Sequence, residues 1–161
     1  MPDPAAGPAA PQSDPTGEGE PPWLETLDQI RGTYQLFGGP ALFGAHLAEI
    51  ERGRAVFRLP ISLLLGGGAR GGVHGGILSA LTDIAAVSAV RTLCRMNDIM
   101  RGTAELNISY LRPATGPTLT ITGIVLKKGA SLAVSEVEIQ NDEGALVAKG
   151  RVTYALGRAP L

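Results

Sequence analysis

One cysteine, 4% aromatic residues and no cation before Arg31 set the first limits on what this 161-residue chain can be. The lone Cys94 excludes an internal disulfide and a cysteine-based zinc site, and it fits a reducing compartment. With so few aromatic side chains, the core must be filled by Leu, Ile, Val and Ala. A hydrophobic content of 44% suffices for one domain. Residues 1–30 hold six acids and no Lys or Arg, leaving 14 basic against 9 acidic side chains, or +5, for residues 31–161. That excess suits a small anionic ligand, but it lacks the clustered stripes that nucleic acid demands. No stretch supplies the ~20 apolar residues of a membrane span, and the N-terminus lacks the basic start and apolar run of a secretory signal. The expectation is a soluble cytoplasmic protein with no membrane or nucleic-acid partner, in which the Asn107-Ile-Ser109 sequon carries no glycan.

Glycine and proline are plentiful, at 22 and 12. Seven of the twelve prolines fall within residues 1–22, among Gly, Ala, Ser and acids. Residues 1–20 therefore read as a disordered tail, 21–157 as the folded domain and 158–161 as a C-terminal end.

Trp23, Leu27, Ile30 and Tyr34 recur at helical spacing and predict a short amphipathic helix over 23–37, ended by Gly38-Gly-Pro40. Residues 41–61 read as two strands meeting at Arg52-Gly53, with Ala55, Phe57, Leu59 and Ile61 on one face. Gly66-Gly-Gly-Ala-Arg-Gly71 formally matches a dinucleotide-binding glycine pattern. The alternating strands and helices that such a loop requires are missing, so that reading is set aside.

Gly71 to Val90 is nearly uncharged: glycines and His74 open it out of a loop over 62–74, and from Ile77 onward its composition predicts a helix apolar on most sides, ending near Arg95. It holds one carboxylate, Asp83. A buried Asp is either satisfied structurally, for instance by Ser79 or Thr82, or kept for chemistry, because an unpaired buried charge costs several kcal/mol. Four alternating segments follow, at 102–112, 117–127, 131–140 and 145–155. The first places Ala104, Leu106, Ile108 and Tyr110 on one face and Thr103, Glu105, Asn107 and Ser109 on the other. Gly123 marks a bulge or a close approach. The turns between these segments are short, which predicts an antiparallel meander. A helix apolar all round is covered only if that sheet curls about it, so the expected fold is α+β, a curved antiparallel sheet wrapped around a long central helix.

Val73-His-Gly-Gly-Ile77, Asp83, Asn107-Ile-Ser-Tyr-Leu-Arg-Pro113 and Leu126-Lys-Lys-Gly129 together resemble the hotdog-fold acyl-CoA thioesterases of the phenylacetic-acid-degradation type. The resemblance implies hydrolysis of an acyl-CoA to free acid and coenzyme A, with no metal or separate cofactor. It makes Asp83 the nucleophile or the base that activates water, and Gly75 the backbone N–H donor to the thioester oxygen. His74 would shape that pocket, and Thr103 would orient the acid or its water. Gly68, Arg70, Gly76, Arg112, Lys127, Lys128 and Arg151 are the candidate substrate-binding positions, the cations as partners for coenzyme A phosphates. Where this chain has Gly68, many relatives carry Asn or another polar residue, which keeps a non-catalytic acyl-CoA-binding or regulatory protein as the alternative. Related hydratases place their acid where this chain has Ala69. Gly75 and Asp83 lie ~12 Å apart along one helix, too far to serve one carbonyl. The resemblance builds each site across a two-fold axis, so a homodimer is the minimal active unit and a homotetramer the expected assembly.

Overall fold

The computed structural model describes residues 22–36, 39–62, 65–66 and 72–159. The expected tail, Gly68 and Arg70 lie outside the described residues. The elements in chain order are α1 (Leu27–Leu36), α2 (Gly39–Leu42), β1 (His46–Glu51), β2 (Arg54–Pro60), α3 (Gly75–Arg91), β3 (Asp98–Tyr110), β4 (Thr118–Lys128), β5 (Leu132–Asn141) and β6 (Leu146–Arg158). The six strands form one antiparallel sheet in the order β1-β2-β4-β5-β6-β3, curved about α3. This is the expected α+β hotdog architecture.

Alternation along the strands gives the sheet its inner face. Leu119, Ile121 and Val125 of β4, Ala133, Val137 and Ile139 of β5, and Ala148, Val152 and Leu156 of β6 are all buried in one core. Leu78, Leu81, Ala85, Ala86, Ala89 and Val90 of α3 press against it. The hydroxyls buried in this helix cost little, because they bond back to its own carbonyls: Thr82 Oγ1 donates to Leu78 O at 2.8 Å and Thr92 Oγ1 to Ala89 O at 2.7 Å. Cys94 is fully buried, and its burial pushes the thiol up to about 11, so it stays protonated and unreactive.

Gly123 marks a close approach. It pairs in regular register with Ala55 and Val137, and a Cβ added there would lie 2.5 Å from the Ala85 carbonyl oxygen. The missing side chain lets α3 sit directly on the sheet.

Four expectations change. Trp23 is not on α1. The helix starts at Leu27 because Thr26 and Gln29 form a reciprocal capping box, Thr26 N to Gln29 Oε1 at 2.7 Å and Gln29 N to Thr26 Oγ1 at 3.2 Å. Trp23 instead forms a β-bridge with Arg95, and two guanidinium groups stack on its ring, Arg52 at 4.1 Å and Arg95 at 3.2 Å from the centroid. The first strand starts at His46, because Pro40 sits in the first turn of α2 and Gly44, at φ 78°, turns the chain out of it. The long helix ends at Arg91, where the Thr92 hydroxyl donates to the Ala89 carbonyl and accepts from Gly53 N–H, and the Arg52 guanidinium donates to the Thr92 carbonyl. The last four strands are not a simple meander. Short links at 129–131 and 142–145 join β4, β5 and β6 as neighbours. The α3 crossover, however, carries β3 to the far edge beside β6, and residues 111–117 return the chain to β4.

Candidate active site

The first turn of α3 begins at Gly75, with His74 as its N-cap in an extended conformation, φ −60° and ψ 136°. The imidazole Nδ1 accepts the Gly76 N–H at 3.0 Å. The His74 carbonyl accepts from Ile77 N at 3.0 Å and Leu78 N at 3.3 Å, which starts the helical ladder. These bonds leave the Gly75 N–H without a partner among the described residues, at the end of the helix where the peptide dipoles favour negative charge. His74 thus uses up the neighbouring donor. Substituting His74→Ala should cost ~1 kcal/mol, whereas His74→Asn, which can cap the same turn, should lose only a few tenths in urea denaturation.

Gly75, Ser79 and Asp83 recur every four residues and form one stripe of α3, opposite the inner side of β3. The carboxylate is half-buried in the single chain. The expectation of a deeply enclosed acid gives way to one set on the flank of the helix, where the edge strand only partly covers it. Thr103 Oγ1 donates to Asp83 Oδ1 at 2.6 Å. Among the described residues Oδ2 has no partner. The alternative partners do something else: Thr82 bonds its own helix, and Ser79 lies 2.6 Å from the Tyr110 hydroxyl.

Thr103 reaches Asp83 because β3 is bulged. The register slips between Thr103 and Glu105, so Thr103 pairs with Tyr154 and Leu106 with Val152. Ala104 is the extra residue. It turns Thr103 to the helix side, together with Leu106, Ile108 and Tyr110, whereas strict alternation puts Thr103 on the outer face. Behind this pair, Tyr154 is buried. Burial, helped by the nearby Asp83 charge, raises its phenol above the usual value and keeps it neutral.

The structure brings Asp83 together with Thr103, and His74 together with Gly75 and Gly76. The cations are elsewhere. Lys128 is tied at 2.6 Å to the buried Asp98, near the C-terminal end of α3. Lys127 is exposed beside it. Arg112 donates to the Leu146 carbonyl at 2.8 Å. Arg151 lies on the outer side of the sheet in a shallow groove of about 350 Å³ shared with Asn107, Ser109, Glu136 and Lys149. Tyr110 is the neighbour that alternation alone did not single out. Its hydroxyl donates to the Gly75 carbonyl at 2.9 Å. Among the described residues there is no cluster of three or more His, Cys, Asp or Glu side chains able to hold a metal, and no helix long and apolar enough to cross a membrane.

The family model described as thioesterase superfamily matches residues 70–148. The medium/long-chain acyl-CoA thioesterase YigI of Escherichia coli (strain K12) is 33% identical over 107 residues, which cover 59% of this chain and 69% of that protein. Acyl-coenzyme A thioesterase 13 of Homo sapiens is 37% identical over 89 residues, 54% of this chain and 62% of that protein. The solved structure of the PaaI protein from the phenylacetic acid degradation operon of E. coli superposes with a TM-score of 0.68 at 23% identity, covering 83% of this chain and 92% of that one.

Proposed function

Because this chain belongs to the thioesterase superfamily, as a PaaI-like hotdog protein and a thioester hydrolase, we propose that Asp83 and the Gly75 N–H carry out hydrolysis of an acyl-coenzyme A. The observation that carries this reading is the half-satisfied carboxylate: Thr103 holds Oδ1, and Oδ2 is left to react. Either Oδ2 attacks the thioester carbonyl carbon to form an acyl-enzyme that water then hydrolyses, or Oδ2 takes a proton from a water that attacks in its place. Both routes place negative charge on the carbonyl oxygen. A first-turn N–H, already freed of competing bonds, is suited to receive it. Collapse of that intermediate breaks the C–S bond and releases the coenzyme A thiolate.

One chain cannot bring the two groups to one carbonyl, since ~12 Å of helix separates them. The working unit in this proposal is a homodimer in which Gly75 of one protomer serves Asp83 of its partner. The position of β3 favours that assembly. It is a 13-residue strand at the end of the sheet, and an unpaired edge of that length invites a second copy. Of the cations, Arg112, Lys127 and Arg151 remain candidates for the phosphates of coenzyme A, as do Gly68, Arg70 and Gly76 for the thioester and its linker. Lys128 is the weaker candidate, because contacting a phosphate would strand Asp98.

The test is thiol release across a panel of aromatic and medium-chain acyl-CoAs. Turnover of at least one member supports the proposal. Binding without thiol release from any member would make the chain an acyl-CoA-binding protein instead.

A further inference from the structure

A glycine is a poor place from which to aim a catalytic donor. It has no side chain to pack, its φ and ψ are the least restricted of any residue, and helix ends fray. The first turn of α3 answers this with contacts from outside the helix. The peptide between Gly75 and Gly76 is pinned at both ends: His74 Nδ1 accepts its N–H at 3.0 Å, and the Tyr110 hydroxyl donates to its carbonyl at 2.9 Å. The Tyr110 ring also fills the space a side chain would occupy, since a Cβ on Gly75 would lie 3.2 Å from its Cζ. The phenol has one proton, and the Gly75 carbonyl takes it. The 2.6 Å contact between the Tyr110 hydroxyl and Ser79 Oγ is therefore donated by the serine. Ser79, Tyr110 and Gly75 form a hydrogen-bonded chain in which each bond strengthens the next.

Ser79 spans one helical turn from Gly75. A serine at that spacing commonly bonds the carbonyl four residues back. Here its hydroxyl reaches across to β3, and the tyrosine takes the carbonyl. The clamp therefore ties the start of α3 to the same strand that holds Asp83 through Thr103.

We propose that Tyr110, supported by Ser79, is a positioning residue that fixes the direction of the Gly75 N–H toward the thioester oxygen. The inference rests on the thioesterase reading above. Tyr110 touches the helix and not the reacting atoms, so its loss acts on the rate of the chemical step and leaves substrate affinity in place. Tyr110→Phe keeps the ring and removes the hydroxyl. It should lower kcat about tenfold with KM unchanged within about twofold, the signature of a donor displaced by a fraction of an ångström. Ser79→Ala should have a smaller effect, about two- to threefold, and the double variant should fall short of the product of the two because they interrupt one chain.

A second readout needs no substrate. The Gly76 amide proton, bonded to His74 Nδ1 in the same peptide that Tyr110 holds and followed by NMR hydrogen exchange in the free protein, should exchange several-fold faster in Tyr110→Phe than in wild type, with core amides of β4 and β5 unchanged. Wild-type kcat together with unchanged Gly76 exchange in Tyr110→Phe would overturn the proposal. So would a rise in KM at constant kcat, which would make Tyr110 a substrate contact. If the wild-type protein released no thiol from any acyl-CoA, the thioesterase reading and the catalytic purpose of the clamp would fall. The exchange measurement would still show whether the clamp holds the Gly75–Gly76 peptide.

Discussion

Asp83→Asn should reduce thiol release by roughly a thousandfold or more while the protein folds as before, a loss on the scale seen when a nucleophile or general base is removed. The asparagine side chain matches aspartate in size, and its carbonyl oxygen can still accept the Thr103 hydroxyl, so the contact between α3 and β3 survives. What disappears is the basic, nucleophilic oxygen. A structural acid would give the opposite result: the amide would satisfy Thr103 and activity would persist. Asp83→Ala separates the two further. It should be as inactive as Asp83→Asn but slightly less stable, because Thr103 loses its acceptor. The measurement is thiol release from the best acyl-CoA of the panel, beside a urea melt of each variant. Full turnover in folded Asp83→Ala would place the chemistry on another group.

Gly123→Ala should lower stability by ~3 kcal/mol, the upper end of overpacking costs. The new Cβ would sit 2.5 Å from Ala85 O, 2.6 Å from Ala85 C and 3.1 Å from Ala86 N, all backbone atoms of α3. No rotamer change relieves such a contact, so the whole helix must lift from β4. The same helix carries Gly75 and Asp83 on its side toward β3, and a lifted helix should also lower kcat. Gly150 offers the control. A Cβ there meets Thr82 Cγ2 at 2.5 Å, a side-chain methyl, and Asn107 O at 3.2 Å. Because part of that clash involves a side chain that can shift, Gly150→Ala should cost less, ~1–2 kcal/mol. The order of the two urea midpoints checks the argument. Equal midpoints would mean that α3 does not rest on Gly123 as closely as the structure has it.

The fold was legible in the sequence where burial follows a simple period. The apolar run from Ile77 to Val90 could only be a helix enclosed by a sheet, and the alternation of β2, β4, β5 and β6 supplied that sheet. Strand order was not legible, because turn length identifies neighbours only across short links. The α3 crossover sends β3 beyond β6, a placement no local pattern encodes. Trp23 illustrates a signal present but outweighed: its spacing continued the stripe of α1, yet Thr26-Leu-Asp-Gln29 is a capping box, and such a box marks where a helix starts.

The site divides in the same way. His74, Gly75 and Asp83 could be placed on one helix from the sequence alone, and their separation already argued for two chains. The meeting of Thr103 with Asp83 could not, because it depends on the bulge at Ala104, and one inserted residue reverses every face assigned before it. Resemblance pointed to Thr103 while alternation pointed it away. The bulge is the physical reason the two disagreed. Tyr110 was assigned to the inner face, but its bond to the Gly75 carbonyl emerges only when β3 is laid beside α3.

The central claim is that each site takes its donor from one protomer and its acid from the other. Subunit complementation tests it most directly. Gly75→Pro deletes the N–H at a helix position where proline is favoured, behind a His74 already held at φ −60° and ψ 136°, the conformation that precedes prolines. The Tyr110 ring, 3.2 Å from the new Cβ, belongs to a side chain that can yield by a few tenths of an ångström. Alone, Gly75→Pro and Asp83→Asn should each be nearly inactive. Dissociated, mixed in equal amounts and reassociated, half of the dimers would carry one copy of each, with both defects gathered in one site and the other intact. The account predicts recovery of about a quarter of wild-type thiol release in the mixture. A mixture as inactive as either parent would contradict it.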